Sequence, residues 1–252
     1  MKVLAILGAS GHGKVIADTA EECGWNKIVF FDDAWPSLQS NGHWSVDGDS
    51  QGLIQRLSEF NGVLVAIGNN RARQARLMEL AAAGASLVNL IHPRATVSRY
   101  AYLGLGTVVF AGAVVNAGVH AEGGAIINTA SSVDHDCYLG KAVHLSPGAR
   151  LAGGVRVGDR SWIGIGAAVR QLIEIGNDVV VGACAAVVSD LPDGVTVVGV
   201  PAVPIKIEPD PSTSAVRGVN SSLSIKANRF VVLTDQEFPC AEYSFLSLAF
   251  IQ

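Results

Sequence analysis

His135 is the histidine that the sequence best equips for acid–base chemistry, because carboxylates flank it on both sides, as Asp134 and Asp136. A carboxylate next to an imidazole can orient the ring and support the positive charge that the ring gains with a proton. The pattern therefore predicts a general base. The alternative is a histidine at a turn that makes only surface hydrogen bonds.

A second pattern with chemical meaning is the glycine loop Gly8-Ala9-Ser10-Gly11-His12-Gly13, which directly follows an apolar run over residues 3–7. Backbone N–H groups of such a loop can approach a phosphate at a helix N-terminus. Asp32 follows Gly13 by nineteen residues, and a carboxylate there can accept hydrogen bonds from a ribose or a base. The sequence predicts a nucleotide site that includes Ser10, Gly11, His12, Asp32, Asp33 and Gly68. For His12, donation to a diphosphate and a simple loop role remain equal alternatives.

The first ninety residues predict the elements that would hold this loop. Apolar runs over 3–7, 28–31, 63–67 and 87–91 are typical of buried parallel strands. Helical spacing between them predicts one helix that stops at Gly24, a short one near 53–59, and another over 71–83 that ends at Gly84. Strands that alternate with helices form an open parallel sheet, whose ligands bind beyond the carboxyl ends of the strands. Gly8, Asp32 and Gly68 all stand at such ends.

A six-residue repeat dominates the rest of the chain. From residue 97 to residue 187, all sixteen residues at steps of six are apolar, and the residue two before each is nearly always small or β-branched. Two inward positions per hexad describe a short strand and a corner, and three hexads per turn make a triangular β-solenoid of about five coils. Glycine often follows the apolar position and is expected at the corners, as at Gly104, Gly140, Gly158, Gly164, Gly176 and Gly182.

The chain resembles the left-handed β-helix acyltransferases and, among them, the nucleotide-sugar acetyltransferases with an N-terminal Rossmann-like domain. Bacillosamine-type N-acetyltransferases and sialic acid O-acetyltransferases are two branches of that family. The resemblance covers about residues 1–206 and implies an α/β Rossmann-like parallel sheet followed by a left-handed parallel β-helix of hexapeptide repeats. It is carried by the glycine loop and by Phe31-Asp32-Asp33, Ala66-Ile67-Gly68-Asn69-Asn70, Ile91-His92-Pro93, Val133-Asp134-His135-Asp136-Cys137, Val143-His144-Leu145-Ser146-Pro147-Gly148 and Val198-Gly199-Val200-Pro201-Ala202.

The resemblance implies transfer of an acetyl group from acetyl-CoA to the amine of a nucleotide-linked sugar of the UDP-4-amino type. It gives His135 the role of general base and Asp136 that of raising its basicity. It also implies that His144 contacts the thioester region of acetyl-CoA. By the same resemblance, the backbone near Gly153 binds the oxyanion, and the backbone near Ile165 and Ala183 lines the CoA arm.

Nine residues, half of a coil, separate His135 from His144, so the two should face different sides of one prism. The resemblance implies a homotrimer whose active sites lie between subunits, where His135 of one chain meets His144 of a neighbour.

The resemblance also divides the chain into a nucleotide-sugar-binding domain over 1–92, an acyltransferase domain over 93–206, and a linker with an atypical C-terminal extension over 207–252. Val203 stands where relatives often have a lysine, which predicts weaker binding of the CoA phosphates.

Composition excludes several other classes. A net charge of −4 offers no basic patch of the size that nucleic acid requires. The four cysteines form no CxxC, which favours a reducing, cytoplasmic location, and no apolar stretch is long enough for membrane insertion. The intervals of fifteen and nine between His120, His135 and His144 differ from those of the zinc enzymes built on β-helices, so no metal is expected.

Three other functions stay open at this level. O-acetylation of a sialic acid or another sugar would use the same apparatus. An NAD-dependent oxidoreductase would suit the glycine loop and Asp32 but leaves the repeats without a task, and a trimeric scaffold without turnover would leave the His135–Asp136 pair without one. The sugar, the nucleotide base and the acetylated position cannot be predicted from the sequence.

Overall fold

A computed structural model describes residues 1–205 of the chain. The linker and C-terminal extension predicted over 207–252 lie outside the described residues. None of the helices within 1–205, of which the longest has 13 residues, has the length and apolar character needed to cross a bilayer.

The N-terminal part is built on a three-stranded parallel sheet in which β1 (Val3–Leu7) lies between β2 (Lys27–Phe31) and β5 (Gly62–Val65), and helix α1 (Gly11–Glu22) connects β1 to β2. Its strands are almost wholly apolar and buried, as expected for strands covered on both faces. Helix α1 ends before Gly24, which has a φ of 81° and so forms the predicted left-handed cap. The elements are β1 (Val3–Leu7), α1 (Gly11–Glu22), β2 (Lys27–Phe31), the hairpin β3 (Ser40–Asn41) and β4 (Trp44–Ser45), α2 (Ser50–Gln55), a 3-10 helix (Leu57–Glu59), β5 (Gly62–Val65) and α3 (Asn70–Ala82).

The strand predicted over 87–91 joins this sheet only at its first residue. Leu87 makes a single bridge to Val63, and the strand Leu90–Ile91 pairs with Val108–Val109 in the solenoid. Leu90 is buried in a cluster that contains residues of both parts of the chain. An apolar run specifies burial but not a pairing partner, and here the pairing extends the first coil.

The solenoid consists of three parallel sheets, the faces of a prism. Face 1 contains the strands Thr96–Val97, Val114–Val115, Ser132–Val133, Arg150–Leu151, Ala168–Val169 and Ala186–Val187. Face 2 contains Tyr102–Leu103, His120–Ala121, Tyr138–Leu139, Arg156–Val157 and Glu174–Ile175. Face 3 contains Leu90–Ile91, Val108–Val109, Ile126–Ile127, His144–Leu145, Trp162–Ile163, Val180–Val181, Thr196–Val198 and Val203–Ile205. Paired residues from Leu90 to Val187 are eighteen apart, as Val115 and Val133 are, so the hexad prediction is confirmed. In the last coil the interval falls to sixteen, between Val180 and Thr196.

The repeating glycines, expected at the corners, do not adopt the left-handed backbone conformation of the corners. Positive φ recurs every six residues from Gly106 to Cys184, always two residues after the position of Gly104 in the repeat. Gly104 itself has no positive φ, but a Cβ there would lie 2.5 Å from the backbone nitrogen of Gly123 in the next coil. The predicted glycines therefore permit close stacking of coils, and the left-handed turns fall two residues later.

The N-terminal part packs against the first strands of face 3. Val108, Phe110 and Ile126 project outward from that face and are buried together with Ile6 and Ile16 of the N-terminal part. Their burial removes apolar side chains of both parts from water, which is the main favourable term in such packing. The carboxyl ends of β1 and β5 are thereby held beside the solenoid.

Candidate functional site

His135 lies at the corner between faces 1 and 2, just after the strand Ser132–Val133. Its Nδ1 is 2.8 Å from Oδ2 of Asp136, and its backbone N–H donates to Oδ1 of Asp134 at 2.8 Å. Asp136 occupies the left-handed position of this corner, with a φ of 59°. The hydrogen bond to Asp136, followed by the negative charge of Asp134, raises the pKa of His135. When Nδ1 carries a proton and donates to Asp136, Nε2 keeps the lone pair that a base needs.

Glycines in the neighbouring coils make room for both members of this pair. A Cβ at Gly118, one coil below, would collide with the carboxylate of Asp136. A Cβ at Gly153, one coil above, would lie 2.5 Å from Nε2 of His135. Within residues 1–205, the backbone N–H of Gly153 has no hydrogen-bond acceptor. The corner half-site, defined as His135, Asp136 and Gly153, thus combines an imidazole that can accept a proton at Nε2 with a backbone N–H that has no acceptor among the described residues.

His144 lies on face 3 and is only 9% exposed. Its ring stacks on that of Trp162 with centroids 5.2 Å apart, and its Nε2 is 3.4 Å from Nδ2 of Asn128. Burial, followed by the positive charges of Arg73 and His12, lowers the pKa of His144 to about 3. Its imidazole is therefore neutral at physiological pH and can act as a hydrogen-bond partner rather than as a cation.

A groove of about 390 Å³ runs beside His144, and its walls include Trp162, Ile165 and Ala183. Three of the four residues predicted to contact acetyl-CoA thus meet in one place, which we call the groove half-site. Gly153 is the fourth, and it lies with His135 at the other corner. The two half-sites belong to different sides of the prism, as the nine-residue interval predicted.

His12 reaches from the glycine loop to the solenoid. Its ring lies edge-on to Phe110 at a centroid distance of 5.7 Å and 6.5 Å from the ring of His144. Burial, followed by the charge of Arg73, lowers the pKa of His12 to about 4. Among the described residues, Nε2 of His12 and Nδ1 of His144 are buried without a hydrogen-bond partner. His12 therefore joins the nucleotide loop to the groove instead of standing free at the sheet edge.

The predicted nucleotide residues gather at the carboxyl edge of the sheet, where Ser10 and Gly11 begin α1 and Gly68 follows β5. Asp32 ties this edge together, because its Oδ2 accepts from the N–H of Ala9 at 2.7 Å and its Oδ1 from the N–H of Ala34 at 2.9 Å. The carboxylate thus shapes the loop, which sequence reasoning did not foresee.

Asp33 is also held by protein groups. It accepts from the N–H of Ser50 at 3.0 Å and forms an ion pair with Arg76 at 2.6 Å. Hydrogen bonding from Ser50, together with the charge of Arg76, lowers the pKa of Asp33. Asp33 is therefore ionised at neutral pH, and both acidic residues belong to the loop framework.

Four residues at the site were not predicted: Arg73, Gly118, Asn128 and Trp162. The eighteen-residue coil offers a signal for two of them, since Gly118 precedes Asp136 and Trp162 follows His144 by one coil each. No periodic signal marks Arg73 or Asn128. The described part of the chain contains no group of three His, Cys, Asp or Glu side chains that could hold a metal ion.

Comparison with known sequences places the chain among sugar-modifying enzymes. Residues 3–80 match the family model of the PglD N-terminal domain. GDP-perosamine N-acetyltransferase of Escherichia coli O157:H7 is 28% identical over 221 residues, which cover 83% of this chain and 99% of that protein. UDP-N-acetylbacillosamine N-acetyltransferase of Bacillus subtilis (strain 168) is 37% identical over 114 residues, or 44% of this chain and 52% of that protein.

Solved structures extend the similarity to both parts of the fold. The acetyltransferase domain of PglB from Neisseria gonorrhoeae, in complex with acetyl coenzyme A, is 47% identical, with a TM-score of 0.78, and the match covers 81% of this chain and 98% of that one. PerB from Caulobacter crescentus, in complex with CoA and GDP-perosamine, is 41% identical, with a TM-score of 0.77, over 81% of this chain and 97% of that one.

Proposed function

Because this chain belongs to the nucleotide-sugar acetyltransferases that join a Rossmann-like N-terminal domain to a left-handed β-helix, we propose that it acetylates the amine of a nucleotide-linked 4-amino sugar with acetyl-CoA. One observation carries the proposal. Nε2 of His135, oriented through Asp136, lies against Gly153, whose backbone N–H has no acceptor within residues 1–205. Acyl transfer requires these two groups, a base and an oxyanion donor, next to each other.

The chemistry follows from this corner. The neutral amine attacks the thioester carbonyl, and Nε2 of His135 removes a proton from the nitrogen as the bond forms. Negative charge develops on the carbonyl oxygen and is stabilised by the N–H of Gly153. Collapse of the intermediate breaks the C–S bond, and the imidazolium returns the proton to the departing thiolate. Asp136 supports the imidazolium throughout.

We propose that the enzyme works as a homotrimer with each active site between two subunits. His135 and Gly153 lie at the corner of faces 1 and 2, whereas the groove beside His144 lies along face 3. A corner of one prism must therefore be brought to face 3 of another to complete a site. In this scheme, residues 1–92 hold the nucleotide sugar, and residues 93–206 hold acetyl-CoA through His144, Ile165 and Ala183.

The solenoid argues against the NAD-dependent alternative. Hydride transfer would use only the glycine loop and Asp32, and it would leave the groove beside His144 and the His135–Asp136 pair without a task. The described cysteines, Cys23, Cys137 and Cys184, are free thiols. Free thiols suit a reducing compartment, and we place the enzyme in the cytoplasm.

The direct test is turnover of UDP-, GDP- and CMP-linked amino sugars with acetyl-CoA, followed by release of the CoA thiol, with hydroxyl acceptors in parallel. We expect amine acceptors to react and H135A to lose kcat by at least about 10²-fold while binding the nucleotide sugar as the wild type does. H120A is the matched control, because His120 is another exposed solenoid histidine paired with a carboxylate, Glu122. Wild-type turnover by H135A would exclude His135 as the base.

A further inference from the structure

Arg73 is the largest fully buried side chain among residues 1–205, with 1% exposure. Its guanidinium donates five hydrogen bonds, all to neutral oxygen atoms. Burial lowers the pKa of Arg73 to about 9, so the side chain is a cation at neutral pH. The acceptors are the carbonyl oxygens of Gly124 at 2.9 Å, Ile67 at 2.9 Å, Gly68 at 3.1 Å and Ala142 at 2.8 Å, and Oδ1 of Asn70 at 2.8 Å.

These acceptors belong to two structures that both contribute to the proposed reaction. Ile67 and Gly68 form the chain segment after β5, at the sheet edge where the nucleotide is expected. Gly124 and Ala142 lie in successive coils at the corner that precedes face 3, and Ala142 is two residues before His144. One side chain therefore bonds to the nucleotide edge and to the turn that leads into the groove half-site.

Asn70 completes the connection. Its Oδ1 accepts from Arg73, while its Nδ2 donates to the carbonyl oxygen of Arg160 at 2.7 Å and approaches that of Ser161 at 3.4 Å. The carbonyl oxygen of Ser161 also accepts from the backbone N–H of His144 at 3.0 Å. Arg73 and Asn70 thus bond to backbone carbonyl groups in the coil before His144 and in the coil after it.

The stability of the fold does not by itself explain why a charged Arg73 side chain is buried between the two parts. A buried charge must be removed from water, and apolar residues of similar volume often replace buried ionic groups without loss of stability. Apolar packing already joins the two parts, for example through Phe110 and Ile126. The planar fork of arginine does something that packing cannot do, since it fixes several carbonyl groups in direction as well as in distance.

We propose that Arg73, held by Asn70, is a positioning residue for acyl transfer, which fixes the nucleotide edge at Ile67–Gly68 relative to the turn that carries His144. The inference rests on the proposed function. The amine must lie within a few tenths of an ångström of its attacking position at the thioester, because displacement by about 1 Å costs roughly 10²-fold in rate. The charge of Arg73 also helps to keep the imidazoles of His12 and His144 neutral.

The test compares N70A, R73K and Q74A. R73K keeps the charge but cannot reproduce five directed bonds, and N70A leaves Arg73 in place while removing its link to Ser161. Q74A is the control, because Gln74 also bridges α3 to the solenoid, through a 3.1 Å bond from Arg160, but does not approach His144. We expect N70A and R73K to lower kcat by about 10- to 100-fold, with Kd for CoA and for UDP or GDP changed less than about threefold, and Q74A to match the wild type.

Hydrogen exchange of the segment 141–145 gives a second reading that does not require turnover. N70A and R73K should exchange faster there than the wild type, and Q74A should not. If the wild type acetylates a nucleotide amino sugar and both variants keep its kcat and its exchange rates, the positioning role is refuted and the function stands. If the wild type acetylates no acceptor, the proposed function fails, and the exchange rates alone decide whether Arg73 and Asn70 hold the turn. Loss of trimer or of thermal stability with normal kcat for the folded enzyme would show a purely structural role.

Discussion

Gly153 provides the sharpest test of the corner half-site, because a single methyl group there would reach the base. A Cβ at this position would lie 2.5 Å from Nε2, 2.6 Å from Cε1 and 3.1 Å from Cδ2 of His135, whereas ordinary contacts begin at 3.4 Å. The imidazole of the G153A variant must therefore retreat by about 1 Å. Its side chain is 64% exposed, so it has room to do so.

We expect this retreat to affect catalysis and not folding. The Nδ1–Asp136 bond of 2.8 Å and the aim of Nε2 at the amine both depend on the ring position. A displacement of about 1 Å predicts a loss of roughly 10²-fold in kcat, which is about 2.7 kcal/mol of transition-state stabilisation. Gly153 has no positive φ, so alanine adds no backbone strain, and its N–H remains as an oxyanion donor.

The assay is steady-state thiol release for the wild type, G153A, H135A and the double variant. If the methyl group acts by displacing the imidazole, G153A should cost about 10²-fold in the presence of His135 and almost nothing in the H135A background. The oligomeric state and the Tm of the three variants should match those of the wild type. A G153A enzyme with wild-type kcat, or an equal loss in both backgrounds, would refute the proposed geometry.

Two further predictions concern the base and the groove. The hydrogen bond that His135 donates to Asp136 raises the pKa of His135, and only the unprotonated ring accepts a proton. The value of kcat/KM should therefore fall as pH drops through that pKa, and D136N should move this acidic limb to lower pH. E122Q is its control, and an unmoved limb in D136N would contradict the assignment. Trp162 stacks on His144, and aromatic pairs contribute roughly 0.5–1.5 kcal/mol. W162A should therefore raise KM for acetyl-CoA about 2- to 10-fold, and W162F should raise it much less. An unchanged KM in W162A would show that CoA binds elsewhere.

The repeat was predictable because everything it needs is local. A hexad requires an apolar residue every six positions and a small or β-branched one two residues before it, and the chain meets this from residue 97 to residue 187. The burial of Val109, Val133 and Ile163 in one core follows directly. The histidine–aspartate pair was predictable for the same reason, because its members are adjacent in sequence.

Contacts between distant residues could not be predicted in this way. The bonds from Arg73 to Gly124 and to Ala142 span 51 and 69 residues, and no spacing rule connects these positions. Nor does an apolar run reveal its pairing partner, which is why the strand predicted over 87–91 is wrong for Leu90–Ile91, while Leu87 does bridge Val63 in the predicted sheet. The internal bonding of Asp32 was missed because a carboxylate at a strand end suits a ligand and a loop equally well.

At the corner that contains His135, a residue that the fold requires in any case also contributes to the site. Each corner requires one residue with positive φ, and glycine fills that position at Gly118 and Gly154 in the coils on either side. Asp136 holds the same position with a φ of 59°, a conformation that aspartate tolerates better than most residues but that glycine adopts freely. The left-handed turn brings the carboxylate to Nδ1 of the residue directly before it, which an extended strand cannot do because successive side chains point to opposite faces. Other corners carry Ala130, Arg160 or Leu172 at the same position, so a side chain with positive φ does not by itself mark a site. What distinguishes residue 136 is the bond between its carboxylate and His135, and Gly118 and Gly153 leave open the space that the pair occupies.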